Sequence, residues 1–173
     1  MGIYSKIILF TLAGLFISYA SAQSNISWKE HIIDDSSVGP PDLAGSDGLV
    51  MADLDKDGYL DIISVHELDT EYGVPEGYVR IAWGSQDPLE WTSTTLASGS
   101  EAPSAEDVDV ADADGDGWLD IVVACELAHL IYFKNPSKDH REVRWKRTVP
   151  ESTLNRGSFI RVFFSDLDGD GKV

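Results

Sequence analysis

Residues Asp112 to Asp120 read Asp-Ala-Asp-Gly-Asp-Gly-Trp-Leu-Asp and place carboxylates at positions one, three, five and nine of a single tight turn. Packed together without a cation, such groups repel one another strongly. The spacing therefore calls for a hard cation with oxygen ligands, and calcium suits it better than magnesium, whose small octahedral shell accepts fewer protein oxygens. The expected ligands are Asp112, Asp114, Asp116 and Asp120, with the carbonyl of Trp118; Gly117, at position six, supplies the bend that turns the chain back on the ion. Asp53, Asp55, Asp57 and Asp61 repeat the pattern around Gly58, with Tyr59 as carbonyl donor. A third copy begins with Asp166, Asp168 and Asp170 around Gly171, with Lys172 in the carbonyl-donor position. Its ninth position is number 174, so the motif is expected to continue past Val173, and the chain reads as a fragment of something longer.

Other readings of these loops fare worse. An EF-hand needs a glutamate at position twelve and a helix on each side, whereas position twelve is Ser64 in one copy and Val123 in the other, within β-branched runs that make poor helices. The segment Asp166 to Val173 alone would pass for the opening of a dockerin, but the two upstream copies and their strands argue against that. Asp-Gly hairpin turns are common singly, and three copies in one register are not. The expected role of the ions is structural, with affinities of roughly 10⁻⁴ to 10⁻³ M as in other extracellular modules.

A second signal runs out of phase with the aspartates. Short strands are expected at Trp28 to Ile33, Trp91 to Leu96 and Trp145 to Val149, and the two signals advance together with a repeat of about 54 to 63 residues, the mark of a repeat architecture. Between them lie Leu49 to Ala52, Ile62 to Val65 and Tyr78 to Trp83 in the first unit, then Val108 to Ala111, Ile121 to Ala124 and Leu130 to Lys134 in the second. That makes four strands per repeat. Runs such as Asp120-Ile121-Val122-Val123-Ala124 lack polar alternation, as sheets covered on both faces require. Four-stranded sheets stacked face to face around an axis form a β-propeller, so the expected fold is all-β. The expected organisation is a closing strand at about 26–34, blade one at about 47–97, blade two at about 105–150 and the start of blade three at 157–173.

The strings ADLDKDGYLDIISV, ADADGDGWLDIVVA and SDLDGDGKV resemble the FG-GAP and VCBS-type repeats of secreted propellers, including those of integrin α-subunit heads. The resemblance covers nearly all of 23–173. It implies a calcium-braced propeller, usually of seven blades, with the ions held between the first and second strands. It does not imply one activity, because the same fold serves adhesion heads, glycan-binding modules and polysaccharide-active enzymes of lyase or hydrolase type.

Compartment and partners follow from composition. Residues 1–22 have the form of a signal peptide: Lys6, an apolar run from Ile7 to Ile17, and Ala20-Ser21-Ala22 ahead of a mature start at Gln23. That predicts a secreted, extracellular or periplasmic protein. No second apolar stretch of about 18 residues follows, so no membrane span is expected. A net charge of −17 disfavours nucleic acid as a partner, and eleven of the thirty acidic residues sit in the three loops, where bound cations would offset them. A lone Cys125 offers no intrachain disulfide, which leaves packing and metal to hold the fold.

The remaining candidates lie at the end of the blades away from the aspartate loops. His66, Glu67 and Tyr72 belong to the first blade's second connection, Glu126 to the matching place in the second, and Asp47, Glu106, Asp107 and Arg161 to the strand entries. Such a rim suits a glycan or extracellular protein ligand, with His66 as a possible general base. No Ser-His-Asp, P-loop, CxxC or HExxH pattern specifies a reaction, so a binding or scaffold module is the leading expectation and a carbohydrate-active enzyme the alternative.

Overall fold

The computed structural model describes residues 27–68, 76–154 and 156–173. The expected signal peptide at 1–22, and Tyr72, lie outside the described residues. The chain divides into an N-terminal unit up to Glu30 and a second unit from His31 to Val173. Within the first unit, described residues 27–30 carry no strand.

The second unit is all-β. Strands β1 (Ser46–Ala52), β2 (Asp61–Glu67), β3 (Gly77–Trp83) and β4 (Thr92–Gly99) form one antiparallel sheet in the order of the chain. Strands β5 (Ala105–Ala111), β6 (Asp120–Cys125), β7 (Leu130–Lys134) and β8 (Lys146–Thr148) form a second, again in chain order. Each is the up-and-down meander of a propeller blade. One short 3₁₀ turn, Glu151–Thr153, follows the second sheet. Among the described residues, no helix is long and apolar enough to cross a membrane.

One apolar core joins the two sheets. From the first it takes Leu54, Ile63, Val65, Val79, Ile81 and Trp83; from the second, Val108, Ile121, Val123, Ile131, Phe133 and Trp145. The period-two spacing of Ile63 and Val65, and of Val79, Ile81 and Trp83, sends each set to the side facing the second blade. All six residues of β6 are buried, which accounts for its unbroken apolar run. Cys125 is among them, and burial pushes its thiol up to about 12, so it behaves as a small core residue.

The other face of the first blade is covered by different means. Ser64, His66, Tyr78 and Arg80 stand there, cross-strand neighbours in the pairs Ser64↔Arg80 and His66↔Tyr78. Over them runs the segment 31–45, where a strand had been expected up to residue 34. It forms none, because it meets the sheet through side chains rather than a backbone ladder: Asp34 pairs with Arg80, and Asp42 accepts a 2.8 Å bond from the Tyr78 hydroxyl. Residues 157–165, expected to open a third blade, also form no strand, although Val162 and Phe164 N–H groups donate to Asp107 and Asp109 of β5 at 3.0 and 2.8 Å. Alternate backbone donors thus follow the edge of β5 through carboxylates instead of carbonyls.

The two blades approach each other closely at Gly48. A β-carbon there would lie 2.7 Å from the Asp107 Cα of the neighbouring blade. Since β5 packs against β1 and β2, backbone rather than a flexible side chain opposes the added atom. Gly48→Ala is therefore expected to cost about 1–3 kcal/mol of stability through overpacking. A urea midpoint equal to that of the unaltered chain would show that the blades can slide apart there freely.

Candidate functional site

The three aspartate loops share one geometry. In the first, Asp53 accepts the N–H groups of Asp57 and Gly58 at 3.1 and 3.0 Å, Asp55 accepts that of Asp57, and Asp57 accepts that of Tyr59 at 2.9 Å. The second repeats it, with Asp112 accepting from Gly117, Asp114 from Asp116, and Asp116 from Trp118. In the third, Asp166 accepts from Gly169, Asp170 and Gly171, Asp168 from Asp170, and Asp170 from Lys172. These backbone donors hold the Asp166 carboxyl below its usual range. Gly58, Gly117 and Gly171, at position six, have φ of 93°, 90° and 84°. The third loop takes this form with no strand leading into it, so the turn is dictated by its own residues and not by a preceding strand.

In each loop, the carboxylates at positions one, three and five converge, with one oxygen of each within 4.8 Å of the others. A ring of hard oxygen donors this close fits a divalent cation. The second loop adds an orphan: Asp112 Oδ1 is buried without a hydrogen-bond partner, an arrangement that is costly unless something positive meets it.

The ninth aspartates do not join these groups. Asp61 and Asp120 are fully buried at the start of β2 and β6, and both oxygens of each carboxylate accept hydrogen bonds from within the blade. Asp61 accepts the N–H of Leu54 and of Gly84, each at 2.9 Å; Asp120 accepts the N–H of Asn135 at 2.8 Å and the Tyr132 hydroxyl at 2.6 Å. Burial pushes Asp61 up to about 6, against the pull of those two donors. Each clips the end of its loop to the third strand of its blade. Counting along the sequence missed this because the direction of the ninth side chain depends on strand pairing, here Ala52↔Asp61 and Ala111↔Asp120. Sequence reasoning also passed over position four, which takes positive φ in all three loops: Lys56, Gly115 and Gly169, at 59°, 76° and 77°. Glycine in two of the three copies was the available signal.

The connection from β7 to β8 ties the first two loops together. The Asn135 amide donates to the carbonyls of Leu54 and Leu119, both at 3.0 Å, and so bonds one residue from each loop region. Lys56 sits 4.2 Å from the centre of the Trp118 ring, which in turn lies 4.8 Å from the buried ring of His140. None of these cross-loop partners is visible in the spacing of the aspartates.

The FG-GAP-like repeat model matches residues 68–123, a stretch that includes β3, β4, β5 and the whole second loop. Residues 68–123 are thus an FG-GAP-like repeat. No curated protein and no solved structure matches the chain.

The far end of the blades holds the remaining candidates. Glu67 and Glu106, with Asp47, bring carboxylate oxygens within 4.8 Å of one another. Burial raises the Glu106 carboxyl, and the charges of Asp47, Glu126 and Glu67 raise it further while Arg161 lowers it. These five side chains therefore share one charged neighbourhood. Asp107 departs from it, because its Oδ2 holds the Val162 N–H. His66 departs more sharply. The β2–β3 ladder runs on to His66↔Tyr78 and Glu67↔Gly77, so His66 lies inside a strand, buried, with Nε2 3.0 Å from Ser64 Oγ. Burial also lowers its pKa. A rim position for His66, and with it a role as general base toward an outside substrate, does not fit this placement.

Proposed function

We propose that this chain is part of a secreted, calcium-stabilised β-propeller that presents a binding or scaffolding surface to a glycan or an extracellular protein. The observation that carries the reading is one oxygen-lined turn repeated three times, with three internal hydrogen bonds common to every copy. Asp53, Asp55 and Asp57, their counterparts Asp112, Asp114 and Asp116, and Asp166, Asp168 and Asp170 would hold the ions, with the carbonyls of Tyr59, Trp118 and Lys172. Bound calcium would supply charge neutralisation and bracing, not chemistry. Asp61 and Asp120 are better read as clips. Secretion rests on the signal-like residues 1–22. The acidic neighbourhood of Asp47, Glu67, Glu106 and Glu126, facing Arg161, is the surface best suited to a hydroxyl-rich or cationic ligand.

Thermal unfolding tests the metal reading. At a calcium concentration about 100 times the dissociation constant, each filled site adds about 2.7 kcal/mol. The unfolding midpoint in calcium is therefore expected to exceed that in EDTA by several degrees, and equal midpoints would remove calcium from the account. A glycan array probed in calcium tests the ligand face: binding should be lost in a Glu67→Gln, Glu106→Gln double variant, and retention of full binding would place the ligand elsewhere.

A further inference from the structure

Arg141 belongs to the second blade, on the connection from β7 to β8, yet its guanidinium reaches the aspartate loop of the first. Nε donates to Asp55 Oδ2 at 2.8 Å and Nη2 to Asp57 Oδ2 at 2.9 Å, while Cζ lies 5.1 Å from the centre of the Trp83 ring. The Oδ1 atoms of the same aspartates already take the N–H groups of Asp57 and Tyr59. Those donors are compatible with a bound cation, because a carboxylate oxygen has a second lone pair to offer. A guanidinium is not, since it is itself a cation and takes the remaining oxygen of each of the two carboxylates. Lys134, at the end of β7, has the same relation to the second loop, pairing with Asp114 and Asp116. Among the described residues, no ion pair reaches the third.

We propose that Arg141 is a resident counter-cation of the first loop, which a divalent cation must displace, so that loading of this loop and the Arg141 link between blades exclude one another. The inference rests on the metal reading above. The blades stay joined when the link opens, because Asn135 still bonds the carbonyls beside both loops and the shared core is untouched. Arg141 thereby makes the first loop weaker and more selective: only an ion that offers more than a monovalent side chain can enter it.

Calcium titration calorimetry on the full chain tests this with three proteins. Arg141→Met removes the competitor, and Arg144→Met makes the same change in net charge at a residue paired instead with Glu101. The unaltered chain is the reference. Arg141→Met is expected to tighten one calcium site by about three- to fivefold, the upper end of exposed ion-pair energies, while Arg144→Met leaves every site within about twofold. Arg141→Gln is the second variant and is expected to behave as the Met variant does. If calcium binds the unaltered chain and both Arg141 variants bind it equally or more weakly, displacement is wrong and the metal reading stands. If no protein of the set binds calcium, both fall.

Discussion

Asp34→Ala is expected to destabilise the folded chain by about 3–5 kcal/mol, because it leaves a buried guanidinium without its counter-ion. Arg80 projects from β3 on the face away from the shared core and is 5% exposed. Asp34 grips it at two points, Nε to Oδ2 at 2.5 Å and Nη2 to Oδ1 at 2.9 Å, and Thr95 Oγ1 takes Nη1 at 2.5 Å. Both partners of this ion pair are nearly excluded from water, so solvent screening reduces it little. Small domains have only about 5–15 kcal/mol of stability in all. The loss should appear as a fall in the urea midpoint, with slope unchanged if the unfolded state is unaffected. A double variant, Asp34→Ala with Arg80→Met, should recover much of the stability, since an apolar replacement removes the stranded charge. A midpoint for Asp34→Ala within about 0.5 kcal/mol of the unaltered chain would mean that water reaches Arg80 and that segment 31–45 does not seal this face.

Asp61→Ala is expected to have an effect of the same order. It strips the acceptor from two buried N–H groups, those of Leu54 and Gly84. Each unsatisfied donor costs about 1–3 kcal/mol, so the total is about 2–6 kcal/mol. The same loss is expected in EDTA as in calcium, because the carboxylate clips the loop to β3 and does not face the convergent oxygens of Asp53, Asp55 and Asp57. Asp61→Asn keeps one acceptor and should cost less. A destabilisation of Asp61→Ala that vanishes in chelator would instead make Asp61 a metal ligand.

These two residues mark the boundary between what was legible in the sequence and what was not. The aspartate loops were legible because their conformation is local: donors and acceptors lie two to five residues apart, and the third loop closes with no strand leading into it. The strands were legible through their period and their β-branched residues, and each sheet runs in chain order, so neighbours in sequence are neighbours in space. Asp61 looked like a ninth ligand because spacing carries no information on where a strand-borne side chain points. His66 looked like a loop residue because the polar pair His66-Glu67 imitates a strand end, whereas the ladder continues through it.

The sequence by itself therefore determined the repeat, the all-β blades and the positions of three oxygen-lined turns, all of which depend on contacts within a few residues or between successive strands. The tertiary structure alone decided which aspartates face outward and which are buried as clips, that Asp34 reaches Arg80 across 46 residues, and that Arg141 reaches Asp55 across 86. The physical reason is one of range. A turn is selected by its own backbone and side chains, but the partner of a charge is whatever the packing of whole blades brings within about 3 Å of it.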